Sequence, residues 1–162
     1  MRVSLGGNIT VTATERWLSE VRAGRAFGFG DEQNGVAGQK SHVQLFNPAG
    51  SGVNALVRLT MVARGTAGVV GLCFHDTALT TDVGAGINLL RGGAAGACHV
   101  RKATDAADLG SQIFALRLQA SASFEVTAEW LAEIGPGEGI HWRDGTVADT
   151  LTVGFLWAEV TV

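Results

Sequence analysis

Apolar and polar positions alternate with a period of two along several stretches of this chain. That is the spacing at which an extended backbone sends successive side chains to opposite faces. In residues 54–64, Val57, Leu59, Met61 and Ala63 alternate with Arg58, Thr60, Val62 and Arg64, which predicts a strand with the first set buried and the second largely wet. Residues 113–119 set Phe114, Leu116 and Leu118 against Arg117 and Gln119. Residues 124–130 set Phe124, Val126, Ala128 and Trp130 against Glu125, Thr127 and Glu129. The run 151–162 places Leu151, Val153, Phe155 and Trp157 on one face and Leu156, Ala158, Val160 and Val162 on the other. A strand apolar on both faces fits the centre of a sheet, or a position covered by a neighbouring subunit. Shorter strand candidates lie at 26–30, 41–46, 68–75, 97–103 and 138–142.

Helical spacing is confined to the start of the chain. Thr12 and Glu15 have the offset of a capping box, Trp17, Leu18 and Val21 share a helical face, and Gly24 supplies a stop, which predicts a short helix over 14–23. The segment before it, 1–13, reads as a first strand or an extended arm that reaches a neighbour. The expected fold is all-β: one β-sandwich domain, jelly-roll-like, of about eight strands with one short N-terminal helix. Residues 1–37 form an arm and helix packed on the domain, and residues 38–162 form the sandwich. No helical patterns separate the strands, as a parallel α/β layout would require.

Composition narrows the range of functions. Only 17% of residues are charged against 46% hydrophobic, which favours burial in contacts with other subunits. Twelve basic and fifteen acidic residues give a net charge of -3 without a basic cluster, so binding to nucleic acid is not expected. No secretory leader pattern opens the sequence and no apolar run is long enough to span a bilayer as a helix, so no membrane partner is expected. Cys73 and Cys98 are read as two buried free thiols.

Each candidate for chemistry fails on spacing. Gly35-Val-Ala-Gly38-Gln-Lys40-Ser41 has the residue types of a phosphate loop, but Gln39 separates glycine from lysine and a strand pattern follows where a helix is needed. The glycines between Gly84 and Gly96 lack a βα unit and read as a flexible loop. Cys73 and His75 share a strand face, two ligands where zinc needs three or four. Glu125, Glu129 and Glu133 read as a solvated or subunit-facing strand surface, not as paired catalytic carboxylates. No nucleophile elbow occurs. The reading therefore has no catalytic residue, no cofactor and no metal. Trp130 and Trp157 fall in the apolar register and are expected in the core, whereas Trp142, between His141 and Arg143, is the tryptophan expected to be exposed. Trp142, Arg58, Arg64, Glu125 and Glu129 are the candidate interface or ligand contacts.

Two segments add a resemblance. Gln44-Leu-Phe-Asn-Pro-Ala-Gly-Ser-Gly52 leads into the strand at 54–64, and Ile134-Gly-Pro-Gly-Glu-Gly139 leads towards Phe155-Leu-Trp-Ala-Glu159. Over roughly residues 38–162 the chain resembles the small β-sandwich virion structural proteins of tailed bacteriophages, head decoration or cement proteins and related accessories. The resemblance implies a non-enzymatic capsid decoration protein that self-associates, with a trimer as the first guess. It implies binding to the major capsid protein or other virion proteins, and residence in the virion after assembly in the host cytoplasm. The alternative is a carbohydrate- or receptor-binding module of a head fibre or tail, using Trp142 and the glycine-rich loop.

Overall fold

A computed structural model describes residues 16–162, apart from the side chain of Glu129. The proposed capping box and the segment 1–13 lie outside the described residues. Helix α1 covers residues 16–22. Gly24, at φ +69°, ends it: Gly24 N–H donates to the Val21 carbonyl at 3.0 Å and Arg25 N–H to the Glu20 carbonyl at 3.0 Å. This is a Schellman stop, and glycine suits it because the left-handed conformation costs it nothing.

Eleven strands follow: β1 Ala26–Gln33, β2 Lys40–Phe46, β3 Val53–Arg64, β4 Gly68–Phe74, β5 Thr81–Ala85, β6 Ile87–Asn88, β7 His99–Asp105, β8 Ser111–Leu118, β9 Ser123–Ile134, β10 Gly139–Val147 and β11 Leu151–Thr161. They form two antiparallel sheets, a five-stranded one in the order β6-β1-β11-β3-β9 and a six-stranded one in the order β5-β7-β2-β10-β4-β8. The core between them includes Val43, Leu45, Val70, Leu72, Ile140, Trp142, Val153, Phe155 and Trp157. The fold is thus an all-β sandwich with one short helix. It begins at Ala26, because β1 pairs with β11 along its whole length.

One predicted strand is inverted. Arg58 is an extra residue relative to β11, since Val57 pairs with Trp157 and Leu59 with Leu156, while on the other side β9 carries the excess, Ala132 pairing with Val57 and Thr127 with Leu59. A bulge of one residue shifts the alternation by one and exchanges the two faces. Ala55 and Val57 point inward before it, and Thr60, Val62 and Arg64 after it. Leu59, Met61 and Ala63, expected in the core, face outward. β11 keeps its predicted inner face of Leu151, Val153, Phe155 and Trp157, and it is a central strand, between β1 and β3.

The stretch 84–96, read as a flexible loop, contains the end of β5 and all of β6. Gly86 between them lies against Trp157, where a Cβ would meet Cζ2 at 2.3 Å. Nearby, the Glu159 carboxylate accepts from the backbone N–H groups of Ala97 and Cys98 and from Trp157 Nε1, at 2.9 to 3.0 Å. The insertion is therefore tied to β11 at its end. Cys73 and Cys98 are both free and buried.

The two segments that carry the resemblance meet at one end of the sandwich. Buried Asn47 donates through Nδ2 to the carbonyls of Val53 and Ile134, its N–H donates to the Glu138 carbonyl, and its carbonyl accepts from Gly137 N–H. Pro48, Gly50 and Gly52 turn the chain on one side, and Pro136 and Gly137 on the other, with all three glycines at positive φ. One asparagine thereby holds both turns.

Candidate functional site

An apolar groove of about 720 Å³ lies on the outer face of the five-stranded sheet. The bulge at Arg58 creates one wall by turning Leu59 and Met61 outward, and Leu156, Ile87 and Leu89 supply much of the rest. Its floor is Gly28, Gly30 and Gly154. Any side chain there would fill it: a Cβ on Gly28 would sit 2.8 Å from Leu156 Cδ2, and one on Gly154 would sit 2.9 Å from Met61 Cγ. Polar residues of the lining include Asp31, Glu32, Ser123 and Glu125. Ile87 is 62% exposed and Met61 44%, an unusual amount of apolar surface to leave in water at one place.

Helix α1 crosses the same sheet. Arg16 lies over the Trp130 ring at 5.1 Å and Arg58 over Trp17 at 4.9 Å, both within cation–π range. At the other end of α1, Asn88 Nδ2 donates to the Gly24 carbonyl at 2.8 Å. The helix runs from the β3/β9 side to β6.

A second cluster lies on the outer face of the six-stranded sheet, sealed under two connections. Gln44 Nε2 donates to the carbonyls of His75 and Thr77, and Gln44 Oε1 accepts from Leu79 N–H, which closes the β4–β5 connection. Arg143 donates to the Leu109 carbonyl and to Gln112 Oε1, and Lys40 pairs with Asp108 at 2.5 Å, which closes the β7–β8 connection. Beneath them His42 and His141 are fully buried with ring centroids 5.4 Å apart, and His75 stands 5.5 Å from His141. None of the four ring nitrogens of His42 and His141 has a hydrogen-bond partner.

Burial holds the pKa of His42 down to about 4, with Asp105 opposing and Arg143 and His75 adding to it. Burial likewise holds His141 down to about 3, with His42, His75 and Arg143 adding. Both imidazoles are neutral at pH 7, well below the range useful to an acid or base working near neutrality. Among the described residues no group of three or more His, Cys, Asp or Glu is arranged to hold a metal ion. Burial also raises the Cys73 and Cys98 thiols, and Glu159 adds to the rise at Cys98, so both stay protonated and unreactive.

A third cluster ties β3 to β10 and to the turn before β11. Arg64 reaches Asp144 at 2.9 Å and Asp149 at 2.8 Å, and Thr66 Oγ1 donates to Asp149 at 2.8 Å. Burial raises the pKa of Asp144 despite Arg64. At Asp149 burial also pushes upward, but hydrogen bonds from Thr66 and Thr150 and the charge of Arg64 outweigh it and the pKa falls.

The residues singled out from sequence are scattered across these features. Trp142 is not exposed: it is fully buried, its Nε1 donates to Thr60 Oγ1 at 2.6 Å, and its ring meets Phe114 edge-on at 5.7 Å. Its neighbours His141 and Arg143 take the outer face of β10, and period-two alternation turns Trp142 inward. That removes the aromatic platform of the sugar-binding alternative. Arg64 is 3% exposed and belongs to the buried ion cluster, not to an interface. Arg58 holds α1 through Trp17. Glu125 is exposed in the groove lining. The side chain of Glu129 lies outside the described residues. Trp157 is in the core as expected, whereas Trp130 is half-buried beneath Arg16 instead. Of the phosphate-loop lookalike, Ser41 Oγ donates to the Asp149 carbonyl and Lys40 pairs with Asp108, so both serve the fold.

The groove was missed because it depends on a bulge and on three glycines from two strands. The apolar outer face of β11 was the one sequence signal for it. Comparisons with protein-family models, curated proteins and solved structures return no match.

Proposed function

We propose that this chain is a virion structural protein of jelly-roll type, a capsid decoration protein that self-associates and docks on the major capsid lattice. The observation that carries this reading is the apolar groove, a binding surface without reactive groups. Within the two sheets, the interleaving of β1-β11-β3-β9 with β2-β10-β4-β8 supports the jelly-roll reading, with β5, β6 and β7 as an insertion at the edges. The convergence of the two phage-like turns on Asn47 supports treating them as one structural unit.

In this reading the protein works without catalysis. Burying the groove face across a subunit boundary stabilises the assembled shell by mass action, because a ligand that binds only the assembled form shifts the equilibrium towards it. A cyclic trimer at lattice threefold points is the expected arrangement. Mass spectrometry and cryo-imaging of purified particles test the reading. Many copies in regular positions on the head are expected, and particles lacking the protein would refute it.

A further inference from the structure

One row of the five-stranded sheet crosses the groove. Gly30 on β1 pairs with Gly154 on β11, Gly154 with Met61 on β3, and Met61 with Glu125 on β9, so these four positions stand side by side on the outer face. Glu32 lies on the same face of β1, two residues beyond Gly30. The paired glycines leave bare backbone between the two carboxylates. A side chain fits at neither: a Cβ on Gly30 would sit 2.6 Å from the Val153 carbonyl oxygen, and one on Gly154 would sit 2.9 Å from Met61 Cγ. An apolar hollow is thus flanked by Glu32 on one side and Glu125 on the other.

Both carboxylates are exposed, and among the described residues neither has a cation in ion-pair range. The Glu32 carboxylate accepts a hydrogen bond from Thr152 Oγ1 at 3.1 Å. Asp31, which also borders the groove, differs because Lys102 already neutralises it at 2.5 Å.

We propose that the groove receives an extended segment of a different protein with the pattern basic-x-apolar-x-basic, its apolar side chain over Gly154 beside Met61 and its two cations on Glu32 and Glu125. The spacing follows from the sheet. Three strand spacings separate β1 from β9, about 14 Å, and the two-residue offset adds about 7 Å at right angles, which puts the two glutamate α-carbons about 16 Å apart. Residues i, i+2 and i+4 of an extended segment face the same way, with i and i+4 about 13 Å apart, a gap that two long basic side chains close. Charge also selects the partner. A second copy presenting the same face would set Glu32 and Glu125 against their own counterparts, like against like, in a chain of net charge -3. The occupant therefore comes from another surface. It deepens the proposed attachment role of the groove and rests on that reading, because the lattice protein must then carry such a segment.

Titration of the isotope-labelled full chain, followed by amide NMR shifts, tests this with the synthetic peptide Gly-Ser-Lys-Thr-Leu-Thr-Lys-Ser-Gly. Two control peptides carry glutamate in place of both lysines, or serine in place of the leucine. Saturable shifts at Gly30, Met61 and Gly154 are expected with the first peptide at low salt, and binding of each control roughly tenfold weaker. Salt at about 0.5 M should remove most of the advantage over the acidic control, because exposed pairs are screened. Glu32→Gln/Glu125→Gln changes two exposed positions, so the spectrum away from the groove should be retained while the basic peptide loses roughly tenfold in affinity and the acidic one does not. Equal binding of all three peptides, shifts centred outside the groove, or no saturable shift with the first peptide would each overturn the proposal. Particles that carry the protein while the titration fails would leave the decoration reading standing without this ligand, and a specific titration with particles that lack the protein would do the reverse.

Discussion

Acid should destabilise this protein well before its carboxylates are protonated, and the cause is the pair His42 and His141. Both are fully buried without hydrogen-bond partners, and their folded pKa values of about 4 and about 3 lie below the unfolded value of 6.5. The unfolded chain therefore binds protons first, and stability present above pH 6.5 is lost as pH falls towards the folded values. Between pH 7 and pH 5 each histidine accounts for about 2 kcal/mol, or about 4 kcal/mol together. Such a loss is a large part of the total stability of an ordinary domain. Asp108 and Asp149, whose folded pKa values are lowered, lose their contribution only below the ordinary carboxylate range, whereas Asp144, with a raised value, opposes the loss. Urea unfolding at fixed pH steps measures the effect. With a slope of about 2 kcal/mol per molar, the midpoint should drop by about 2 M from pH 7 to pH 5. The variant His42→Leu/His141→Leu should show little of that drop. A wild-type midpoint that stays level across this window, or a double variant that falls as steeply as wild type, would refute the reasoning.

Three further outcomes are expected. Asn47→Ala should cost about 2 to 3 kcal/mol in chemical denaturation, because it removes the Nδ2 donor from the Ile134 carbonyl and the shorter of two donors from the Val53 carbonyl, which keeps only Ser51 Oγ at 3.3 Å. Arg64→Met should cost about 3 to 5 kcal/mol, since it strands Asp144 as an uncompensated buried charge, and combining it with Asp144→Leu should recover much of the loss. Met61→Glu, on the exposed groove wall, should leave the melting temperature within a few degrees of wild type but weaken attachment to purified shells in a co-sedimentation assay, at least tenfold if the groove is the docking surface.

The strands were legible where one face is plainly apolar and the register uninterrupted. The two apolar faces of β11 pointed to a sheet centre or to a position covered by a neighbouring subunit, and the strand is central, while Phe114, Leu116 and Leu118 of β8 lie on the predicted inner side. β3 was found but read inside out past Arg58, because an arginine within a perfect alternation gives no sign that it is the extra residue of a bulge. Trp142 was misjudged for a related reason: flanking His and Arg suggested a wet strand end, whereas both lie on an outer face roofed by loops from distant parts of the chain. The histidine cluster assembles from residues 42, 75 and 141, whose proximity is a product of topology and leaves no local pattern. β5 and β6 escaped because glycine-rich segments pair weakly by propensity and are held here by Glu159 and Trp157.

The last two strands, β10 and β11, stand in the interior of the two sheets, β10 between β2 and β4 and β11 between β1 and β3. During synthesis, each sheet therefore waits with a gap at its middle until residues near 147 and 161 have cleared the ribosome. Until then Phe27, Val57, Leu45 and Leu72 lack the strand on one side that completes their layer. Folding should be correspondingly slow, late and all-or-none, as expected where most pairings join distant parts of the chain. A chain cut short before Leu151 would have nothing to place between β1 and β3, so premature termination should yield an aggregating product instead of a smaller sandwich.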